Sequence, residues 1–280
     1  MTTTLRPGDR SQAVAQLQKK LNANGAKLEV NGNYGDETEK AVRAYQRKVG
    51  LIDDGVAGSK TQGALAGADC SHLLSHADLA AAAKRLGVDL ASIYAINQVE
   101  SLGNGFASNG KPTVLFERHI MYRQLCTPVH EGDNAVQLKM HADELAITYP
   151  NLVNPKPGGY AGGTAEHQRL ARARMLDDTS ALASASWGAF QIMGFHWQLL
   201  GYSSVQEFAE RMAKSEAEQL EAFVRFIEAD PALHKALKAK KWAEFAKRYN
   251  GPNYARNQYD TKLEHAYSQH AQCQPEPVAA

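Results

Sequence analysis

Cysteine is scarce in this chain of 280 residues: Cys70, Cys126 and Cys273 are far apart and odd in number. That excludes a disulfide framework and a zinc knuckle, and fits reduced thiols in a cytosolic compartment of synthesis. An excess of one charge is also missing. Lys and Arg number 31 against 30 Asp and Glu, a net charge of +1, with no dense basic run, which argues against a nucleic-acid binder driven by phosphate attraction. No apolar run is long enough to span a bilayer. The opening stretch MTTTLRPGDRSQAV has no apolar h-region, so no secretory leader is expected there. His72 and His76 stand four apart near Cys70, but Ser75 as a helix cap leaves them in a linker, no third ligand follows, and HExxH is absent. No metal and no cofactor are expected.

What is present is ordinary globular chemistry, 44% hydrophobic and 22% charged residues, with enough chain for one or two domains. The first 67 residues contain an internal repeat. Asn31-Gly32 is followed by Gly35 and Thr38, and Asp54-Gly55 by Gly58 and Thr61, so both copies follow [ND]-G-x-x-G-x-x-T. Asn-Gly and Asp-Gly are tight-turn pairs. Asp36 with Glu39 and Ser59 with Gln62 predict two capping boxes, each opening a helix. Val14, Leu17 and Leu21 predict a helix before them, and Val42, Tyr45 and Val49 a second that stops at Gly50. Tyr34 is placed exposed near the first turn, while Tyr45 is expected to pack.

Further on, Ser75 with Asp78 caps a helix striped by Leu79, Ala82, Ala83 and Leu86. DLASIYAINQVES predicts another, with Asp89 as cap and Leu90, Ile93, Ile96 and Val99 as apolar positions. Its last residue but one, Glu100, falls near the packed side. Desolvation there would raise its pKa into the range a proton donor needs at neutral pH; by position alone a solvated Glu at a frayed helix end fits as well. SLGNGF at Ser101–Phe106 predicts a flexible loop, residues 112–117 a short extended segment, and residues 118–125 a helix. Glu117 is a second carboxylate nearby, equally suited to an ion pair with Arg118, His119 or Arg123. YPNLVNPKPGGYAGGT (149–164) predicts a long loop. Helices are expected over 165–176, 182–186, 205–213, 216–229 and 231–240, with a last set from 241 to about 267. Trp187, Phe190 and Ile192 are expected in the core, Gly188 and Gly194 at packing or turn positions, and the PEPVAA tail as disordered.

LRPGDRSQAVAQLQKKLNANG, VNGNYGDETEKAVRAYQRKVGL and DDGVAGSKTQGAL, in that order, resemble the peptidoglycan-binding domain carried by many wall hydrolases. NQVES, VLFERHIMY, SWGAFQIMGFHW and RYNGPNY resemble the N-acetylmuramidase domain of phage endolysins of Gram-negative hosts. That domain belongs to the lysozyme-like superfamily, with goose-type lysozymes and soluble lytic transglycosylases. The resemblance implies a mainly α fold: a small three-helix peptidoglycan-binding domain (1–67), a linker (68–74), a larger lysozyme-like α-helical catalytic domain with a minor β element (75–270), and a tail (271–280). It implies Glu100 as general acid, Ser101 beside it, Gln191 holding a sugar or water, and Tyr249 and Asn250 on the opposite wall. In the binding module, Tyr34 and Asp54 are the candidate contacts; a purely structural role fits each of these residues too.

Glycoside hydrolysis ordinarily pairs the acid with a second carboxylate. After Glu100, the chain has no Asp before Asp133, and Glu117 is its nearest downstream carboxylate. The helper is therefore open: Glu117, a polar residue orienting water, or the substrate's own N-acetyl or 6-hydroxyl group. The expected protein is a monomeric endolysin that acts on bacterial peptidoglycan, with neither nucleic acid nor stable membrane insertion. It would accumulate in the host cytoplasm and reach the periplasm by holin-assisted release. The alternatives are a lytic transglycosylase giving 1,6-anhydro products, a non-catalytic wall-binding or virion structural protein, and a zinc amidase or peptidase.

Overall fold

Two buried glutamines organise the first 81 residues, and each sits on a helix just ahead of one copy of the repeat. The computed structural model describes residues 3–101, 105–107, 109–251 and 254–272. They fall into two compact units, Met1–Ala81 and Ala82–Ala280.

In the first unit, α1 (Gln12–Ala23), α2 (Asp36–Lys48) and α3 (Ser59–Ala64) surround a core of Leu5, Val14, Leu17, Leu21, Tyr34, Val42 and Tyr45. Gln18 Nε2 on α1 donates to Asn31 Oδ1, Asn33 O and Thr38 Oγ1, and its Oε1 accepts from Gly32 N. Gln46 on α2 does the same for the second copy, with Asp54 Oδ1, Val56 O, Thr61 Oγ1 and Gly55 N. Gly32 and Gly55, with φ of 71° and 73°, make each turn left-handed, so that its amide faces the glutamine.

This arrangement corrects two expectations. The capping boxes do not form. Gly35 and Gly58 are the N-caps, without side-chain caps, because Glu39 is taken by Arg43 and Gln62 donates to Thr3 O and Ala57 O. Tyr34 is not exposed: it is 1% accessible, its ring lies in the core and its hydroxyl donates to Gly55 O at 2.8 Å. Asp54 is likewise engaged by its own turn, accepting from Gln46 Nε2 and Val56 N.

The division between the units falls within α4 (His76–Leu86), whose start is capped by Ser75 with Asp78. In the second unit α5 (Leu90–Glu100) is capped by Asp89, which accepts from Ser92 N at 2.8 Å. Residues 91–96 of α5 are buried on every side. The chain then forms β1 (Val114–Phe116), α6 (Arg118–Leu125) and α7 (Ala135–Thr148), the last a helix not anticipated above although Asn134 caps it.

The segment 149–162 is irregular, as expected, and the side chains of Arg118, Glu166 and Arg169 pin it, Arg169 by donating to Asn151 O. The Arg118 guanidinium donates to the carbonyls of Pro150, Lys156 and Pro157, and Glu166 Oε1 accepts from Gly162 N at 3.0 Å. Next come α8 (Glu166–Arg174) and α9 (Asp178–Ala183), which ends where the expected 182–186 helix begins. Residues 185–187 are instead β2, paired antiparallel with β1 (Leu115 opposite Ser186) and with β3 (Ile192–Met193). Sheet pairing here outweighs the helical preference of the Ala-Ser run. Helices α10 (Val205–Lys214), α11 (Glu216–Ala229), α12 (Pro231–Lys238), α13 (Trp242–Asn250) and α14 (Tyr259–Gln272) complete the unit around Phe208, Phe223 and Phe245, with α14 lying along α5. The expectations for Leu102-Gly103-Asn104, Pro252-Asn253, Cys273 and the PEPVAA tail concern positions outside the described residues.

Candidate active site

Glu100 is the last residue of α5 and is 8% exposed. A carboxylate there loses most of its water and faces the negative end of its own helix, and both effects disfavour the charged form. Burial pushes its pKa from the usual 4.5 up to about 7, against opposing pulls from the Asn250 amide and the Lys262 charge. Asn250 Nδ2 donates to Glu100 Oε1 at 2.9 Å. The chain brings these residues together across 150 positions because α14 packs on both α5 and α13, so the C-terminal ends of α5 and α13 converge.

The carboxyl opens into a cavity of about 230 Å³ that is also lined by Gln191, Met193, His196, Tyr249, Asn250 and Tyr259. Gln191 lies in the turn between β2 and β3 with φ of 50°, unusual for a residue other than glycine. Its own side chain holds that turn: Ser186 Oγ donates to Gln191 Oε1 at 2.7 Å, and Gln191 Nε2 donates to Gly188 O at 2.8 Å. Trp187, Phe190 and Ile192 around it are buried in the core, as expected.

The Tyr249 hydroxyl donates to Phe190 O at 2.7 Å, tying α13 to the same turn, while its ring lies among Phe223, Phe226 and Phe245. Burial first, then the nearby Glu100 charge, holds this phenol well above its ordinary pKa. Ser101 is buried and turned back on its helix, donating to Asn97 O.

Glu117 is not among the described residues that line the cavity. Its carboxylate accepts from the Tyr160 hydroxyl at 2.8 Å and lies 3.2 Å from His119 Nδ1. The cavity therefore joins Glu100, Gln191, Tyr249 and Asn250 and leaves Glu117 out. It also adds His196 and Tyr259, which no sequence signal singled out. His196 is packed against Phe195 and Phe226, and burial lowers its pKa, favouring the neutral imidazole. At the start of α14, burial first and then the nearby Glu100 charge raise the pKa of the Tyr259 phenol. Among the described residues, no group of three or more His, Cys, Asp or Glu is placed to hold a metal.

Behind the cavity, α11 supplies a buried polar pair. Gln219 Oε1 accepts from Ala189 N at 2.7 Å, its Nε2 donates to the carbonyls of Gly105 and Met212, and Glu216 Oε1 accepts from Gly105 N. Both the segment following Glu100 and the turn carrying Gln191 are thus anchored to one helix face. Gly188 is required where it stands, because a Cβ there would lie 2.5 Å from Gln219 Cδ. The signal was legible: Glu216 and Gln219 fall on the same helical stripe as Leu220, Phe223 and Ile227, where two polar residues must find partners.

Comparison with known proteins gives matches to both halves. A family model described as N-acetylmuramidase matches residues 89–271, and one described as a putative peptidoglycan binding domain matches residues 10–65. The crystal structure of a Burkholderia AP3 phage endolysin is 50% identical with a TM-score of 0.85, covering 97% of this chain and 99% of that one. Two curated proteins of Bacillus licheniformis are similar over shorter spans. The N-acetylmuramoyl-L-alanine amidase CwlL is 42% identical over 67 residues, 23% of this chain and 19% of that protein. A probable N-acetylmuramoyl-L-alanine amidase is 40% identical over 70 residues, 24% of this chain and 20% of the other. The match spans about a fifth of the length of these curated relatives.

Proposed function

This chain belongs to the N-acetylmuramidase family, and from that premise we propose that it is an endolysin whose Glu100 is the general acid in cleaving the β-1,4 bond between N-acetylmuramic acid and N-acetylglucosamine. The observation that carries the proposal is a buried carboxyl with a pKa of about 7, hydrogen-bonded to Asn250 in a cavity. Near neutral pH a large fraction of Glu100 is protonated and can donate to the glycosidic oxygen as the bond to the anomeric carbon breaks. The Asn250 N–H then stabilises the carboxylate left behind. Gln191, Tyr249 and His196 line the space beside it, where sugar or water would sit. The first unit docks murein and raises the concentration of substrate at the tethered catalytic unit.

Among the described residues no helix is long and apolar enough to cross a membrane. Holin-assisted release to the periplasm completes the proposed path, with the chain acting as a monomer.

Lytic transglycosylase chemistry is the second reading. One observation favours it: no other carboxylate lines the cavity among the described residues, so no side-chain carboxylate is in place to activate water. Mass spectrometry of digested murein separates the two. Products ending in a reducing sugar support hydrolysis, and products lighter by one water, the 1,6-anhydro form, would replace it with transglycosylation. Glu100→Gln is expected to lower either activity by about 10²–10⁴-fold; a mutant that clears murein like wild type removes Glu100 from the site.

A further inference from the structure

Resting on the wall-binding reading above, we infer that the groove between the end of α1 and one stripe of α2 seats the peptide stem of murein, whose carboxylates are held by Lys27, Lys40 and Lys48. Glu37, Lys40, Ala41, Ala44, Tyr45 and Lys48 recur every three or four residues, so they form a single face of α2. Leu21, Gly25, Lys27 and Leu28 stand opposite them. The two alanines are small where the rest of the stripe is large, and that difference makes the hollow. Its volume, about 460 Å³, lies within the roughly 300–1,000 Å³ of small-ligand sites.

The opposite wall is fixed before any ligand arrives. Asn22 Oδ1 accepts from Leu28 N at 2.7 Å and Asn22 Nδ2 donates to Leu28 O at 2.8 Å, holding the strand-like turn that carries Lys27. Lys48 Nζ donates to Asn24 O at 3.2 Å, which places its charge on the rim between the two walls. An ammonium has three donors, so this bond leaves capacity for a carboxylate. Lys40 pairs with Glu37 at 3.0 Å, both side chains well exposed, an interaction weak enough in water to be exchanged for a ligand carboxylate.

Three lysines against one glutamate around a floor of alanine and leucine complement a short acidic peptide with alanine methyls, the composition of a murein stem. A sugar chain is the poorer fit. Tyr45 is the aromatic residue of the groove, and at 7% exposure it offers little ring face for a pyranose to stack on.

The test uses the full chain carrying Glu100→Gln, so that binding is measured without digestion, and sedimentation with insoluble murein. Charge reversal by Lys27→Glu with Lys48→Glu is expected to weaken retention at least tenfold. The pair Lys27→Arg with Lys48→Arg is expected to retain it, which separates loss of charge from loss of fold. Murein stripped of its peptides by an amidase is expected to hold the parent protein poorly, and soluble stem tetrapeptide to displace it from intact murein. Equal retention of the charge-reversed protein, or equal binding to the stripped glycan, overturns the groove assignment. A parent that does not sediment with murein at all overturns the wall-binding reading itself, a separate result.

Discussion

Replacing Glu100 by Gln should do two opposite things: remove the activity and stabilise the fold in alkaline solution. Burial raises the carboxyl from 4.5 to about 7, so the folded protein holds this proton more tightly than the unfolded chain does. Stability from that preference is complete below the unfolded pKa of 4.5 and is lost as pH rises through 7. At about 1.4 kcal/mol for each pH unit between the two values, the ionised form costs the native state about 3 kcal/mol at pH 8 and almost nothing at pH 4. Gln is never charged and retains an oxygen that can accept the Asn250 N–H. Glu100→Gln should therefore raise the melting temperature of the catalytic unit at pH 8 by roughly 6–12 °C, at about 2–4 °C per kcal/mol for this size, and leave it nearly unchanged at pH 4. Calorimetry of both proteins at the two pH values reads the difference directly. A mutant no more stable than wild type at pH 8, or one stabilised equally at both, would refute desolvation as the source of the raised pKa.

The same titration shapes catalysis. The rate constant kcat/KM is expected to fall as pH rises above about 7, because only protonated Glu100 can donate. Asn250→Ala removes a bond that favours the ionised carboxylate. It should move that alkaline limb to higher pH while lowering the maximum, and a limb that moves down or stays still counts against the assignment. Gly194→Ala would drive a Cβ into the backbone oxygen of Leu182, costing about 3 kcal/mol in a core with no room to yield, measurable by urea denaturation. Gln46→Ala strips four hydrogen bonds from the second turn of the repeat and should destabilise the binding unit by about 2–4 kcal/mol. Retention on murein would then fall even though Gln46 is buried at 2% exposure.

Much of this protein was legible because its signals are local. Asp89 caps α5, Ser75 caps α4, and the [ND]-G-x-x-G-x-x-T repeat marks two turns, each a matter of residues within a few positions of one another. Errors arose where a distant partner intervened. Residues 185 and 186 looked helical until β1, some seventy positions earlier, paired with them. Asp36 and Ser59 looked like caps, but Gln18 and Gln46 already held the turns. Tyr34 looked exposed because nothing near it in sequence announces that Gly55 O receives its hydroxyl.

Glu100 follows the same division. Its place at the end of a largely apolar helix was determined by sequence alone, and so was the lack of any Asp between Glu100 and Asp133. Its acidity was not, since pKa depends on how much water the packing removes and on which amide reaches it. That was decided by α14, which packs on both α5 and α13, so that the end of α5 lies beside Asn250 and Tyr259 joins Tyr249 and His196 in lining the cavity at the carboxyl. Periodicity can put a carboxylate on the buried side of a helix; only the crossing of other helices determines whether it meets solvent, an ion partner or a cavity shaped for a bond to be broken.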